Sequence, residues 1–289
     1  MNKEINTMLM NYGTTNIMGS INTLKEIIQE VVLCALSKTD FFSHAAFYGG
    51  TALRIFYGLE RFSEDMDFSL QTRCPDFSLA SYLPEIEAGL NSYGFEMSAE
   101  QKRKQSETNV QSAFLKGNTL VHLMKIFTLE PPISGVLANA IIKIKCEIDV
   151  EPPEGAVFEK KYKLLPQPYA VTLYDKPSLF AGKLHALLCR NWKNREKGRD
   201  FFDYVWYLKE KVPVNLPHLE ARMRQSGHWQ SNEPMTLQLL KSLLMKRFDT
   251  LDILSIKQDV APFIPNPKSM DIWSKDFFIV ITEDMLSQV

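Results

Sequence analysis

Two carboxylates two residues apart, Asp65 and Asp67, are the strongest chemical signal in the chain. They stand in Arg61-Phe62-Ser63-Glu64-Asp65-Met66-Asp67-Phe68, where polar and apolar residues alternate up to Phe68 and beyond, as on a half-buried strand. Side chains two apart on a strand share a face. Asp65 and Asp67 therefore aim together, while Met66 and Phe68 face a core. Acidic residues are depleted in strands, and two on one face repel unless a cation or ligand compensates. A divalent cation and a phosphate-bearing substrate would suit such a pair. A solvated edge strand is the competing reading, less economical because Glu64 falls on the opposite face.

Ahead of this pair lies Phe47-Tyr48-Gly49-Gly50-Thr51-Ala52-Leu53-Arg54. It reads as a short buried strand, a tight turn and a helix over 51–58 with Thr51 at its N-cap. Glycines let a backbone turn sharply and approach a ligand closely, and a helix N-terminus presents N–H groups to an anion. Alone, the turn is equally well an ordinary strand–turn–helix corner. Arg54 and Arg61 stand near enough in sequence to neutralise the acidic pair or touch phosphates. A second acidic pair, Glu147 and Asp149, shares a face with Lys143 and Lys145 on an alternating strand over 140–150. If that strand lies beside the first pair, a third carboxylate completes a metal site; otherwise it is an amphipathic strand with a solvated face.

Further along, Pro177 suits a helix first turn, and Phe180, Leu184, Leu187 and Leu188 give that helix an apolar face with Lys183, His185 and Arg190 elsewhere. The basic cluster Lys193, Arg195, Lys197 and Arg199 leads into Asp200-Phe201-Phe202-Asp203. Asp200 and Asp203 are three apart and share a helical face; acids in a first turn also suit the helix dipole.

The remaining elements must position these groups. Residues 1 to about 15 read as an extended or loosely packed arm. Ile21 to Leu36 carry an apolar stripe at spacings of three and four. A helix is expected over 77–91, a strand at Tyr93–Met97, a strand at Val110–Leu115, and a strand or helix over Leu120–Phe127 in which His122 reads as structural. Residues 154–175 read as loops with a strand near Tyr169–Leu173, and the boundary between an N-terminal and a helical C-terminal domain falls at 170–178. Helices follow over Leu239–Phe248 and Trp273–Leu286.

Bulk composition narrows the classes. With 289 residues, 45% apolar and 23% charged, the chain is long enough for one large or two ordinary globular domains. A net charge of -1 argues against nucleic-acid binding by bulk charge, though not by a local patch. Four scattered cysteines suit neither a zinc site nor a disulfide framework. No run approaches the ~18 apolar residues of a membrane span, and no secretory layout opens the chain, so a cytoplasmic location without membrane contact is expected.

Taken together, Gly49-Gly50-Thr51-Ala52-Leu53-Arg54, the Arg61 to Phe68 segment, Lys183 followed by Ala186 and Arg190, and Arg199-Asp200-Phe201-Phe202-Asp203 resemble the AbiEii/AbiGii toxin family of the DNA polymerase β-like nucleotidyltransferase superfamily. All four motifs agree in order and approximate spacing over residues 45–208. The resemblance implies an α+β fold: a nucleotidyltransferase domain with a mixed sheet and flanking helices over 1–175, and a helical domain over 176–289, with the nucleotide between them. It implies Gly49, Gly50, Thr51, Arg54 and Lys183 at the nucleotide, Asp65 and Asp67 on the metal, and either Asp200 or Asp203 as an essential carboxylate. Asp149, with Glu147 as its rival, would supply the third metal carboxylate. Mg2+ or Mn2+ is the implied cofactor and a nucleoside triphosphate the substrate. The implied activity is transfer of a nucleoside monophosphate to an acceptor hydroxyl, with tRNA or another RNA foremost as acceptor and an antitoxin as counterpart. A protein or small-molecule acceptor, or a non-catalytic nucleotide-binding module, are the competing readings.

Overall fold

The computed structural model describes residues 2–12, 16–102, 109–127, 129–130, 133–190 and 196–286. The chain forms two compact units. The first comprises Met1–Tyr57, Glu64–Pro152 and Glu159–Leu173; the second comprises Gly58–Ser63, Pro153–Phe158 and Tyr174–Val289.

The first unit runs α1 (Lys3–Met10), α2 (Ile17–Leu36), α3 (Phe41–His44), β1 (Ala45–Tyr48), α4 (Gly49–Tyr57), β2 (Met66–Leu70), α5 (Leu83–Ser92), β3 (Ser98–Gln101), β4 (Val110–Asn118), α6 (Thr119–Phe127), β5 (Ile141–Asp149), β6 (Phe158–Lys163) and β7 (Tyr169–Tyr174). The strands form one mixed seven-stranded sheet in the order β3-β4-β5-β2-β1-β7-β6. At its middle, β2 runs antiparallel to β1, with Tyr48 opposite Asp67, and parallel to β5. Met66, Phe68 and Leu70 turn one face of β2 into the core. There Phe68 meets the edge of Phe41 at 5.0 Å and packs on Phe47 at 5.1 Å. Across the core lies α2, whose Leu24, Ile27, Ile28, Val31 and Val32 are wholly buried. Burying each such side chain contributes about 1.5–3 kcal/mol, so α2 and the sheet hold β2 rigidly.

Three expectations are corrected here. The N-terminal segment is not an extended arm. It forms α1, whose N-cap Asn2 side chain accepts from Glu4 N and Ile5 N, and which buries Ile5 and Met8 three apart. Tyr93–Met97 is not a strand. Gly94 takes φ 87° and Phe95 N returns to Leu90 O, so the chain is still closing α5 there and β3 begins at Ser98. Part of the stretch read as loops is β6, sequence FEKKYK. It is the outermost strand of the sheet, and charge on an edge strand discourages pairing with another chain. Leu120–Phe127, left open between strand and helix, lies in α6, with Leu123 and Ile126 buried.

The second unit is helical: α7 (Lys176–Cys189), α8 (Gly198–Lys209), α9 (Leu216–Gln225), α10 (Leu237–Asp249), α11 (Ile253–Val260) and α12 (Lys275–Leu286). Asp175 caps α7 by accepting from Ser178 N, with Pro177 in the first turn. Phe180 stacks on Tyr207 at 4.3 Å, joining α7 to α8. Phe201, Phe248 and Phe278 bring α8, α10 and α12 into one aromatic core. At Gly198 a Cβ would stand 1.9 Å from Ile256 O, so only glycine lets α8 begin against α11. The architecture is thus α+β, a mixed sheet with flanking helices followed by a helical unit. Among the described residues, no helix is long and apolar enough to cross a membrane.

Candidate active site

In the first unit, α4 begins at Gly49 itself rather than beyond Thr51. Gly49 has φ 80°, a conformation L side chains rarely adopt, and a Cβ there would lie 2.7 Å from Asp67 Oδ2. The glycine turn and the Asp67 carboxylate are therefore in direct apposition. Thr51 is fully buried, and its hydroxyl donates to the backbone carbonyl of Asp65. It ties the start of α4 to the approach of β2 instead of serving as the N-cap. Arg54 turns toward α2, donating to Glu26 Oε1 through Nε at 2.9 Å and to Oε2 through Nη2 at 3.3 Å.

Asp65 is exposed and Asp67 half-buried, while the intervening Met66 is buried. The β2–β5 register sets Asp67 beside Glu147 and Ser69 beside Asp149. Neighbours in register on adjacent strands point to the same face, so Asp67 and Glu147 are side by side, and Asp149 stands one step further along. Glu147 accepts from Ser112 Oγ at 2.9 Å and from Lys145 Nζ, and Asp149 Oδ1 accepts from Glu151 N at 3.0 Å. The negative field is felt behind the strands: burial, followed by Asp65, Asp67 and Glu147, pushes the Cys146 thiol up to about 12.

Among the described residues, no three His, Cys, Asp or Glu side chains are grouped so as to hold a metal ion by themselves. Asp65, which lies just before β2, and Asp67 within it are donors of the type a small hard cation takes. Mg2+ is commonly held by one or two carboxylates, with water and substrate phosphates completing its shell, and the missing Cβ of Gly49 leaves backbone space at the Asp67 oxygen.

The second unit holds the other charged cluster. Lys183, on α7, donates to Asp200 Oδ1 at 2.7 Å and lies 2.7 Å from Asp203 Oδ2. Arg61 forks onto the same Asp203, Nε to Oδ1 at 2.5 Å and Nη2 to Oδ2 at 2.6 Å, and its Nη1 donates to Phe62 O. Asp203 is fully buried and Arg61 3% exposed, so two cations and two anions form a neutral buried set. Burial works against the Arg61 charge, but Asp203, with Asp200 and Tyr207 beyond, outweighs it and raises the guanidinium pKa. Burial likewise opposes the Asp200 charge, and Lys183, Arg190 and Lys197 overcome it, leaving that carboxyl below its usual range. Arg190, Lys197 and Arg247 line a narrow depression with Asp200. Of the basic cluster, Lys193 and Arg195 lie outside the described residues. His122 is structural, with Nδ1 at 2.6 Å from Asn118 O and its ring stacked on Phe95.

Each unit thus gathers one part of the expected set: Gly49, Gly50, Asp65 and Asp67 in the first, Lys183, Asp200 and Asp203 in the second. The Arg61–Asp203 fork was missed by sequence reasoning, although Arg61 stands in the same short motif as Asp65 and Asp67.

A family model described as the nucleotidyl transferase AbiEii toxin of type IV toxin–antitoxin systems matches residues 31–278. Similar solved structures include JHP933 from Helicobacter pylori, 18% identical, with 91% of this chain and 89% of that chain covered at a TM-score of 0.48. A second H. pylori protein, provisionally described as a nucleotidyltransferase, is 17% identical with coverages of 91% and 92% and a TM-score of 0.46. No curated protein matches the sequence.

Proposed function

The chain belongs to the AbiEii nucleotidyltransferase family, the toxins of type IV toxin–antitoxin systems, and on that premise we propose that it is a metal-dependent enzyme transferring a nucleoside monophosphate from a triphosphate to a hydroxyl of RNA, with tRNA the leading acceptor. The observation that carries this reading is the Gly49 turn set directly against the Asp67 carboxylate. It joins a backbone anion seat to a cation ligand at one point.

A nucleoside triphosphate brings about four negative charges, so the protein's task is neutralisation and in-line alignment. Asp65 and Asp67 would hold Mg2+ or Mn2+, which would supply positive charge to offset that building on the phosphate and leaving oxygens. The register favours Glu147 over Asp149 as the carboxylate next to that pair. The amides of the Gly49–Gly50 turn receive phosphate oxygens, and Thr51 fixes that turn to the aspartate strand. Lys183 meets the triphosphate as a point charge. A carboxylate accepts the proton of the acceptor hydroxyl as it attacks the α-phosphorus, and pyrophosphate leaves. Arg190, Lys197 and Arg247 supply the local positive charge for an RNA backbone.

The test is incubation of the purified protein with Mg2+, each of the four α-labelled triphosphates and total RNA. Label should enter RNA of tRNA size. Label on a protein instead would overturn the choice of acceptor, and no transfer with any triphosphate would overturn the enzyme reading. In cells, expression should arrest growth and Asp67→Ala should relieve the arrest. Undiminished arrest by that variant would sink the catalytic explanation of toxicity.

A further inference from the structure

Asp200 and Asp203 are one helical turn apart and both touch Lys183, yet they are held differently. Lys183 reaches Asp200 through one oxygen. On Asp203 both oxygens are occupied: Oδ1 by Arg61 Nε, and Oδ2 by Arg61 Nη2 and Lys183 together. The guanidinium is itself fixed, since Nη1 donates to Phe62 O, and Phe62 N is anchored on Phe263 O at 2.8 Å. A planar fork sets a carboxylate in one orientation, which a single ammonium cannot do. Lys183 is flexible at every bond of its stem, so the direction of its charge depends on what holds the acceptors around it.

We propose that Arg61 is a positioning residue for Lys183: its buried fork locks Asp203, and Asp203 aims the ammonium. This rests on the reading that Lys183 meets the triphosphate. Arg61 then works at two removes from the nucleotide, and its loss should be felt only through Lys183.

The experiment is a double-mutant cycle on triphosphate binding, read by calorimetry with Mg2+ and each of the four triphosphates, with Lys183 acetylation by acetic anhydride mapped by mass spectrometry as a second readout. Arg61→Lys keeps the charge and removes the fork. It should weaken binding at least fivefold in the parent, but change it less than twofold in a Lys183→Ala background, because coupled residues are non-additive. Equal losses in both backgrounds, or unchanged binding in the parent, would overturn the proposal. The Arg61→Met/Asp203→Leu pair removes both charges at once and strands neither in the interior. It should fold and still bind at least fivefold more weakly; folding with parental affinity would overturn the proposal. If the parent binds no triphosphate, the nucleotide reading fails, and acetylation decides the Arg61 role. A change of threefold or more in the Lys183 rate with Arg61→Lys supports it, and an unchanged rate overturns it.

Discussion

Asp67 and Asp203 are both shielded carboxylates, and opposite consequences are expected when each loses its charge. Asp67 is half-buried against a glycine turn. Asp67→Asn preserves volume and removes only the charge. Transfer should fall at least 100-fold, about 3 kcal/mol of barrier, while the melting temperature moves by no more than about 2 °C. Asp203 is fully buried with three donors on its two oxygens. Asp203→Asn leaves buried cations facing an amide, and breaking such a set costs roughly 3–5 kcal/mol. Thermal unfolding should show a drop of about 6 °C or more. Gly49→Ala meets two obstacles, a positive φ and an Asp67 oxygen 2.7 Å from the new carbon, and its Mg2+-dependent triphosphate affinity should fall at least tenfold. The pairings Asp65/Asp67 and Asp200/Asp203 could be picked out because their signal is short-range spacing, whereas Lys183 was singled out by the family resemblance alone. The Arg61–Asp203 fork was not, because its partners are 142 residues apart and only packing joins them.

The helices of the second unit show how element packing can respond to acid. His218 on α9 is fully buried, with Nδ1 at 2.8 Å from Glu154 O, and its ring meets the edge of Tyr174. Burial lowers its pKa to about 4, the Glu154 carbonyl opposing and Arg222 adding to the fall; His185 is lowered to about 3 by burial and the surrounding cations. Both histidines are neutral in the folded state, while the unfolded chain binds protons below about 6.5. Their stabilising contribution is therefore complete above pH 6.5 and is lost as pH falls toward 4, by an amount on the order of 2–3 kcal/mol for His218. Denaturant titrations at pH 7 and pH 5 should differ in that direction, and His218→Gln should flatten the difference. In the first unit, Phe68→Ala empties the space between Phe41 and Phe47 behind β2 and should cost about 3–5 kcal/mol in equilibrium unfolding. The alternation of β5 was readable because one face of it is buried, and α2 was readable from its apolar stripe even though all of Glu26 to Leu36 is buried. Neither α1 nor β6 was readable: α1 is a short helix with two buried residues, and β6 is a charged edge strand.

At the scale of the molecule, a net charge of -1 means that any RNA must be drawn by local groups rather than by the whole surface. With subsaturating RNA, transfer should fall about twenty- to fortyfold between 50 and 200 mM salt, as for three phosphate contacts. The class of fold was legible from the change of pattern along the chain, alternating strands and then helices. What no periodicity could disclose is the path of residues 58–63. They belong to the second unit, although the residues on either side of them belong to the first. Arg61 travels with that excursion, four residues from Asp65. A fragment of residues 176–289 would therefore retain Asp203 and lack its guanidinium, and far-ultraviolet dichroism should show it largely unfolded. The consequence reaches beyond the bench. A crossover that joins residues 1–175 of one relative to residues 176–289 of another would set Arg61 against an aspartate from a different chain, so such hybrids should lose stability whenever the two sequences differ around this pair.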